Sequence, residues 1–163
     1  MASPTQPPDD LRVAVHEAGH AVASILLGGT KPGSVSLRPD GPAPARVEHR
    51  ATAVTPGRLE DQPVGFWADL IARLAGPAAE RHAYGRADPK AAKADEREVV
   101  RALRSRGFTS DKAIASLVGF LGRQAATFAD EHGLLIASAA GLLQERDSMS
   151  GEDFETWLWD HQP

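Results

Sequence analysis

The chain of 163 residues contains no cysteine. This absence excludes disulfide bonds, thiolate metal sites and a cysteine nucleophile, so a metal ion would have to be held by His, Asp or Glu. The formal net charge is -4. The chain therefore also lacks the overall basic excess that draws proteins to nucleic acid, and we expect no nucleic-acid partner.

Long hydrophobic runs are missing too. The longest weakly polar stretch, residues 133–143, is too short to span a bilayer, and residues 1–10 lack the basic start and apolar run of a secretion signal. These features predict a cytoplasmic protein without a membrane segment. The length and the 42% hydrophobic content fit one globular domain at residues 9–163, preceded by a disordered tail at residues 1–8.

The spacing of apolar residues and helix-ending residues predicts a mainly helical fold with a small β-sheet. Asp9 or Asp10 can cap a first helix that reaches about residue 27 and ends at two glycines. A short strand at residues 34–38, a proline-rich turn at 39–44 and a second strand at 45–54 are expected next. The remainder is predicted to be helical: residues 64–74, 77–84, 89–106, 110–131, 134–146 and 150–159, with Gly76-Pro77 separating the first two.

His16 and His20 form the sequence pattern that indicates a metal-binding catalytic site. Four residues apart on a helix, their imidazoles lie on one face and can share one ion, with Glu17 beside them as a general base. An apolar stripe lies on the opposite face of the same helix, and Val13 and Leu27 flank the histidines. A helix that is apolar on both sides is expected to be covered on both sides, so the histidines are expected to be partly buried. Two structural histidines are the alternative. The stripe consists of Leu11, Val15, Ala18, Val22 and Ile25.

Asp95 is the best candidate for a third ligand. It falls in the middle of the apolar stripe of the helix at 89–106, where a carboxylate is costly unless a cation balances it. Pairing with an arginine or capping of another helix is the alternative explanation. Glu96 and Glu98 are rival ligands that project towards the edges of that stripe.

The motifs, in their order, resemble the peptidase domain of the FtsH-type, membrane-anchored AAA+ zinc proteases. Those proteins share the sequence His-Glu-Ala-Gly-His, found here at residues 16–20. They follow it with a strand close to Lys-Val-Thr-Ile-x-Pro-Arg-Gly, similar to residues 34–41, and with Gly-Gly-Arg-Ala-Ala-Glu, similar to residues 75–80. A Ser-Asn-Asp triplet of the family matches residues 93–95 by position, and its last helices resemble residues 142–154.

The resemblance implies a zincin-like HExxH helix packed in a helical bundle, with Zn²⁺ held by His16, His20 and Asp95. It places Glu80 near the site as a residue that supports the ligands, although a surface charge is nearly as good an interpretation. The ATPase module and membrane helices of the family are absent. A homo-oligomer and a separate ATPase partner both stay open.

The function expected on this basis is that of a zinc metalloendopeptidase. Glu17 would take a proton from a zinc-activated water that attacks the peptide carbonyl. Peptides and unfolded proteins are the expected substrates, because the chain carries no unfolding motor. Two alternatives stay open: a metal-binding, proteolytically inactive protein-interaction module, and another HExxH hydrolase in which Glu98 or Glu80 replaces Asp95.

Overall fold

The computed structural model describes residues 9–37 and 57–162. Within them the chain is mainly helical with one small sheet, which confirms the predicted fold class. The predicted tail at 1–8, the turn at 39–44 and the second strand at 45–54 lie outside the described residues. In chain order the elements are α1 (Asp9–Leu26), β1 (Ser34–Ser36), α2 (Val64–Tyr84), α3 (Pro89–Ser105), α4 (Asp111–Arg146), β2 (Ser148–Ser150) and α5 (Gly151–Asp160).

Helix α1 packs against both α2 and α4. Its apolar stripe is buried except for Leu11, which is half-buried, and His16 on the other side is buried too, because neighbouring elements cover the helix on more than one side. This confirms the expectation drawn from the sequence. The buried residues of α1 are Ala14, Val15, His16, Ala18, Gly19, Ala21, Val22, Ala23 and Ile25.

Helix α2 runs without interruption through Pro77, so the predicted break at Gly76-Pro77 is wrong. A proline inside a helix removes one backbone hydrogen bond and crowds the carbonyl four residues earlier, at a cost of about 3 kcal/mol. Here residues 74–80 are all buried. Packing on several sides of this segment outweighs the local preference for a break.

The predicted starts of the later helices agree with the structure. Asp88 accepts a hydrogen bond from the Ala91 N–H and Pro89 occupies the first turn of α3, while Ser110 and Ser150 cap α4 and α5 in the same way. The two helices predicted at 110–131 and 134–146 are the two arms of α4, which is kinked at His132 (φ -113°, ψ 15°).

The sheet pairs β1 with β2 in antiparallel fashion, and Val35 lies opposite Met149. Strand β1 ends at Ser36, two residues before the predicted end. Strand β2 was not predicted from the sequence, because three residues between two helices are too short to show a strand pattern.

One hydrophobic cluster, the main core, joins α1, β1, α2, α4 and α5. A second hydrophobic cluster joins α2, α3 and α4. Helix α3 contributes only Val99 and Leu103 to the buried residues, both on its C-terminal half. Its N-terminal half therefore packs against the rest of the protein without a fully buried apolar side chain.

No helix in the described ranges is both long enough and apolar enough to cross a membrane.

Candidate metal centre

Three predicted ligands meet where α1, α2 and α3 come together. On α1, the Nε2 atoms of His16 and His20 lie 2.9 Å apart. The Asp95 Oδ2 atom of α3 lies 3.1 Å from the His16 Nε2 and 3.6 Å from the His20 Nε2. The structure thus brings together residues that are separated by about 75 positions in the sequence.

The other ring nitrogens fix the orientation of both imidazoles. The Nδ1 of His20 donates to the carbonyl oxygen of Ala72 at 2.9 Å, and the Nδ1 of His16 donates to Glu80 Oε1 at 2.6 Å. Because a carbonyl oxygen can only accept, the proton of a neutral His20 resides on Nδ1. In the neutral rings both Nε2 lone pairs therefore face the Asp95 carboxylate.

This arrangement of acceptors fits a divalent cation. Two lone pairs and a carboxylate oxygen repel each other unless a proton or a metal ion lies between them. Asp95 Oδ2 is buried and has no hydrogen-bond partner of good geometry among the described residues. In a tetrahedral zinc site, ligand atoms at ~2.0–2.2 Å from the ion are about 3.3 Å from one another, and the three distances here bracket that value.

The electrostatics of the histidine pair are asymmetric. Burial lowers the pKa of His20 to about 4, and the positive charge of His16 acts in the same direction. Burial also lowers the pKa of His16, but the carboxylates of Asp95 and Glu80 outweigh that effect, and its pKa is raised. Without a metal, the pair accordingly holds its first proton on His16.

Glu17 lies beside the ligands without being one of them. Burial raises its pKa; His16 acts in the opposite direction, and the negative charge of Asp95 adds to the rise. No hydrogen bond or ion pair joins its carboxylate to another residue in the described parts of the chain. A half-buried carboxylate with a raised pKa and no fixed partner is suited to accept and return a proton near neutral pH.

Glu80 is 2% exposed, so its interpretation as a surface charge is wrong. Its Oε1 accepts from His16, and its Oε2 accepts from the Arg12 Nε at 3.1 Å and from the Asp88 backbone N–H at 2.8 Å. Arg12 was not predicted to belong to the site. The sequence signal for it is its position four residues before His16, which places both residues on one helix face.

The rival ligands lie elsewhere. Among the described residues, the group of side chains that can share one ion has His16, His20 and Asp95 as its members. Glu96 is exposed, and Glu98 pairs with Arg101. Three of the other four histidines fall within the described ranges and none of these joins the group.

Two glycines let α1 and α2 approach closely. A Cβ atom on Gly19 would lie 2.7 Å from the carbonyl oxygen of Ala75. A Cβ atom on Gly76 would lie 2.6 Å from the His20 Nε2 and 2.9 Å from the His16 Nε2. Glycine at 76 therefore leaves the room that both rings occupy.

Compared with known proteins, the chain matches no family model and no curated protein. The likeness to FtsH-type peptidases thus rests on the motifs of the sequence, and membership of that family stays a prediction.

Proposed function

We propose that this chain is a zinc-dependent metallopeptidase of the FtsH type, with His16, His20 and Asp95 as ligands and Glu17 as general base. The observation that carries the proposal is the convergence of the two imidazole Nε2 atoms and the buried Asp95 carboxylate oxygen, which all lie within 3.6 Å of one another. An ion at this point would satisfy all three atoms at once.

The ligand number favours catalysis over a structural role. Structural zinc sites fill four positions with protein groups, whereas catalytic sites use three and leave one for water or substrate. The ligand group found among the described residues has three members. This difference favours the peptidase over the inactive interaction module.

Each side chain has a separate task in the proposed reaction. A bound zinc ion would lower the pKa of a water molecule and polarise the peptide carbonyl. Glu17 accepts the proton of the attacking water and delivers it to the leaving amine. Glu80 and the Ala72 carbonyl hold the imidazoles in the tautomer whose Nε2 can bind metal.

The substrates we propose are flexible peptides and unfolded proteins. These 163 residues contain no phosphate-binding glycine loop that would indicate an ATP-driven unfolding motor. Folded substrates would have to be unfolded by an ATPase activity that lies outside these residues. Assembly of several copies and a cytoplasmic site of action belong to the same proposal.

The decisive experiment compares the wild type with Glu17→Gln after zinc loading. The variant should bind one zinc ion per chain like the wild type and lose cleavage of an unfolded protein such as reduced, alkylated lactalbumin. Glu96→Gln, the same change at an exposed position of α3, is the matched control and should cleave normally. A zinc-loaded wild type without cleavage of unfolded proteins would favour the interaction module instead.

A further inference from the structure

Arg12 is a largely buried cation that has no part in the chemistry proposed above. Its side chain is 12% exposed, and it faces Glu80, whose side chain is 2% exposed. The Arg12 Nε donates to Glu80 Oε2 at 3.1 Å, and a second guanidinium nitrogen lies 3.1 Å from the same oxygen. Burying an arginine at this depth is costly without a specific partner.

Glu80 lies between Arg12 and His16: its Oε2 is 3.1 Å from the guanidinium, and its Oε1 is 2.6 Å from the His16 Nδ1. A histidine that binds metal through Nε2 keeps its Nδ1 proton. In the metal-bound form His16 therefore still donates its hydrogen bond to Glu80, and the position of the carboxylate fixes the direction of the ring. Arg12 holds the other oxygen of the same carboxylate.

From this geometry we infer that Arg12 is a positioning residue that sets the affinity of the site for metal, by holding the buried Glu80 carboxylate that orients the His16 ring. The inference rests on the metal site of the proposed function. Without Arg12, the Oε2 atom of Glu80 would lose its guanidinium partner, and the carboxylate would hold the His16 ring less firmly in the direction that metal binding needs.

The same carboxylate also contacts the start of the helix that carries the third ligand. Glu80 accepts a hydrogen bond from the backbone N–H of Asp88, the residue that caps α3. Asp95 lies two turns further along α3. Arg12 and Glu80 thus tie α1, which carries both histidines, to the start of the helix that carries the aspartate.

The test measures zinc affinity directly, by competition with a chromophoric chelator at fixed pH. Arg12→Gln should weaken binding ~10- to 100-fold, the range typical of groups that support metal ligands. Arg12→Lys keeps a cation and should recover most of that loss. Arg81→Gln removes the same charge from an exposed neighbour of Glu80 on α2 and should bind zinc like the wild type.

A double-mutant cycle separates this role from simple packing. Glu80→Gln removes the charge that Arg12 balances, so adding Arg12→Gln to it should cause no further loss of affinity. If Arg12→Gln alone does not fold, the comparison of Glu80→Gln with the double variant carries the test. Packing of the Arg12 alkyl chain would instead give additive losses.

Three results would each overturn the inference while leaving the metal site in place. Zinc affinity could be unchanged in Arg12→Gln, or fall equally in Arg12→Gln and Arg12→Lys. The losses of affinity in the double-mutant cycle could also be additive. A wild-type chain that binds no zinc in the same assay would overturn the proposed function as well, so the two failures are distinguishable.

Discussion

The two halves of the proposed metal centre differ in how firmly the fold holds them. His16 and His20 lie on α1 within the main core, and each ring is anchored through Nδ1. Asp95 lies on the N-terminal half of α3, where residues 89–98 include no buried residue. The histidine half is therefore preorganised, whereas the aspartate half depends more on the ion that it would bind.

The largest effect we expect from this difference is a local response of α3 to zinc. At free zinc about 1,000 times the dissociation constant, binding should stabilise the chain by ~4 kcal/mol. The gain in amide hydrogen-exchange protection should be greatest in residues 89–98 and smaller in α1, because α1 is already held by the core. Equal gains of protection in α1 and α3 would contradict the proposed difference between the two halves of the site.

The second-largest effect we expect comes from removing Leu103, a buried apolar side chain that anchors α3. Leu103 is fully buried, and Leu103→Ala should cost about 2–5 kcal/mol in the free energy of unfolding, measured by urea denaturation. It should also weaken zinc binding, since it loosens the helix that carries Asp95. Leu143→Ala, the same change at a fully buried position of α4 in the main core, is the matched control.

That control separates local from general destabilisation. Leu143→Ala should lower stability by a similar amount and leave zinc affinity unchanged in the folded protein. A loss of affinity in both variants would indicate that the site responds to the whole fold and that α3 is not its weak half.

The sequence predicted those parts of the site that depend on local geometry. His16 and His20 are one helical turn apart, and their shared face follows from the helix alone. Asp95 was found because a carboxylate interrupted an apolar stripe. The pairing of Arg12 with Glu80 joins residues 68 positions apart, and no pattern within one helix shows which carboxylate a buried arginine will meet.

Contacts between distant segments also explain the errors in the predicted fold. Pro77 indicates a break when α2 is considered alone, and the helix continues because α1 and other elements bury that segment. Strand β2 exists through its pairing with β1, more than 100 residues earlier in the chain. Local preference predicts helix starts well, but it does not report contacts made by distant segments.

Close packing in the histidine half supplies a third prediction. Gly76→Ala would place a methyl group 2.6 Å from the His20 Nε2, so at least one anchored ring must shift. We expect a loss of ~1–3 kcal/mol in stability and a changed ligand geometry, seen as an altered visible spectrum of the cobalt-loaded protein. Gly122→Ala, at a position of α4 with no atom near the added carbon, should leave the spectrum unchanged.

The smallest effect is the pH dependence of zinc affinity. The pKa of His20 is about 4, so between pH ~5 and neutrality this residue is already deprotonated. The pKa of His16 is raised above its ordinary value, so His16 still holds a proton that zinc must displace. Zinc affinity should therefore increase with pH, by about tenfold or ~1.4 kcal/mol per pH unit for one displaced proton, and level off above the pKa of His16.

Chelator competition across this pH range gives the slope, and calorimetry in two buffers of different ionisation enthalpy counts the protons released. A slope near two would mean that each imidazole holds its own proton, in conflict with the 2.9 Å separation of the Nε2 atoms. His82→Gln, a change at an exposed histidine that pairs with Asp130, should not alter the slope. A single displaced proton would show that the two rings share one proton before the metal binds, as the short distance between their Nε2 atoms implies.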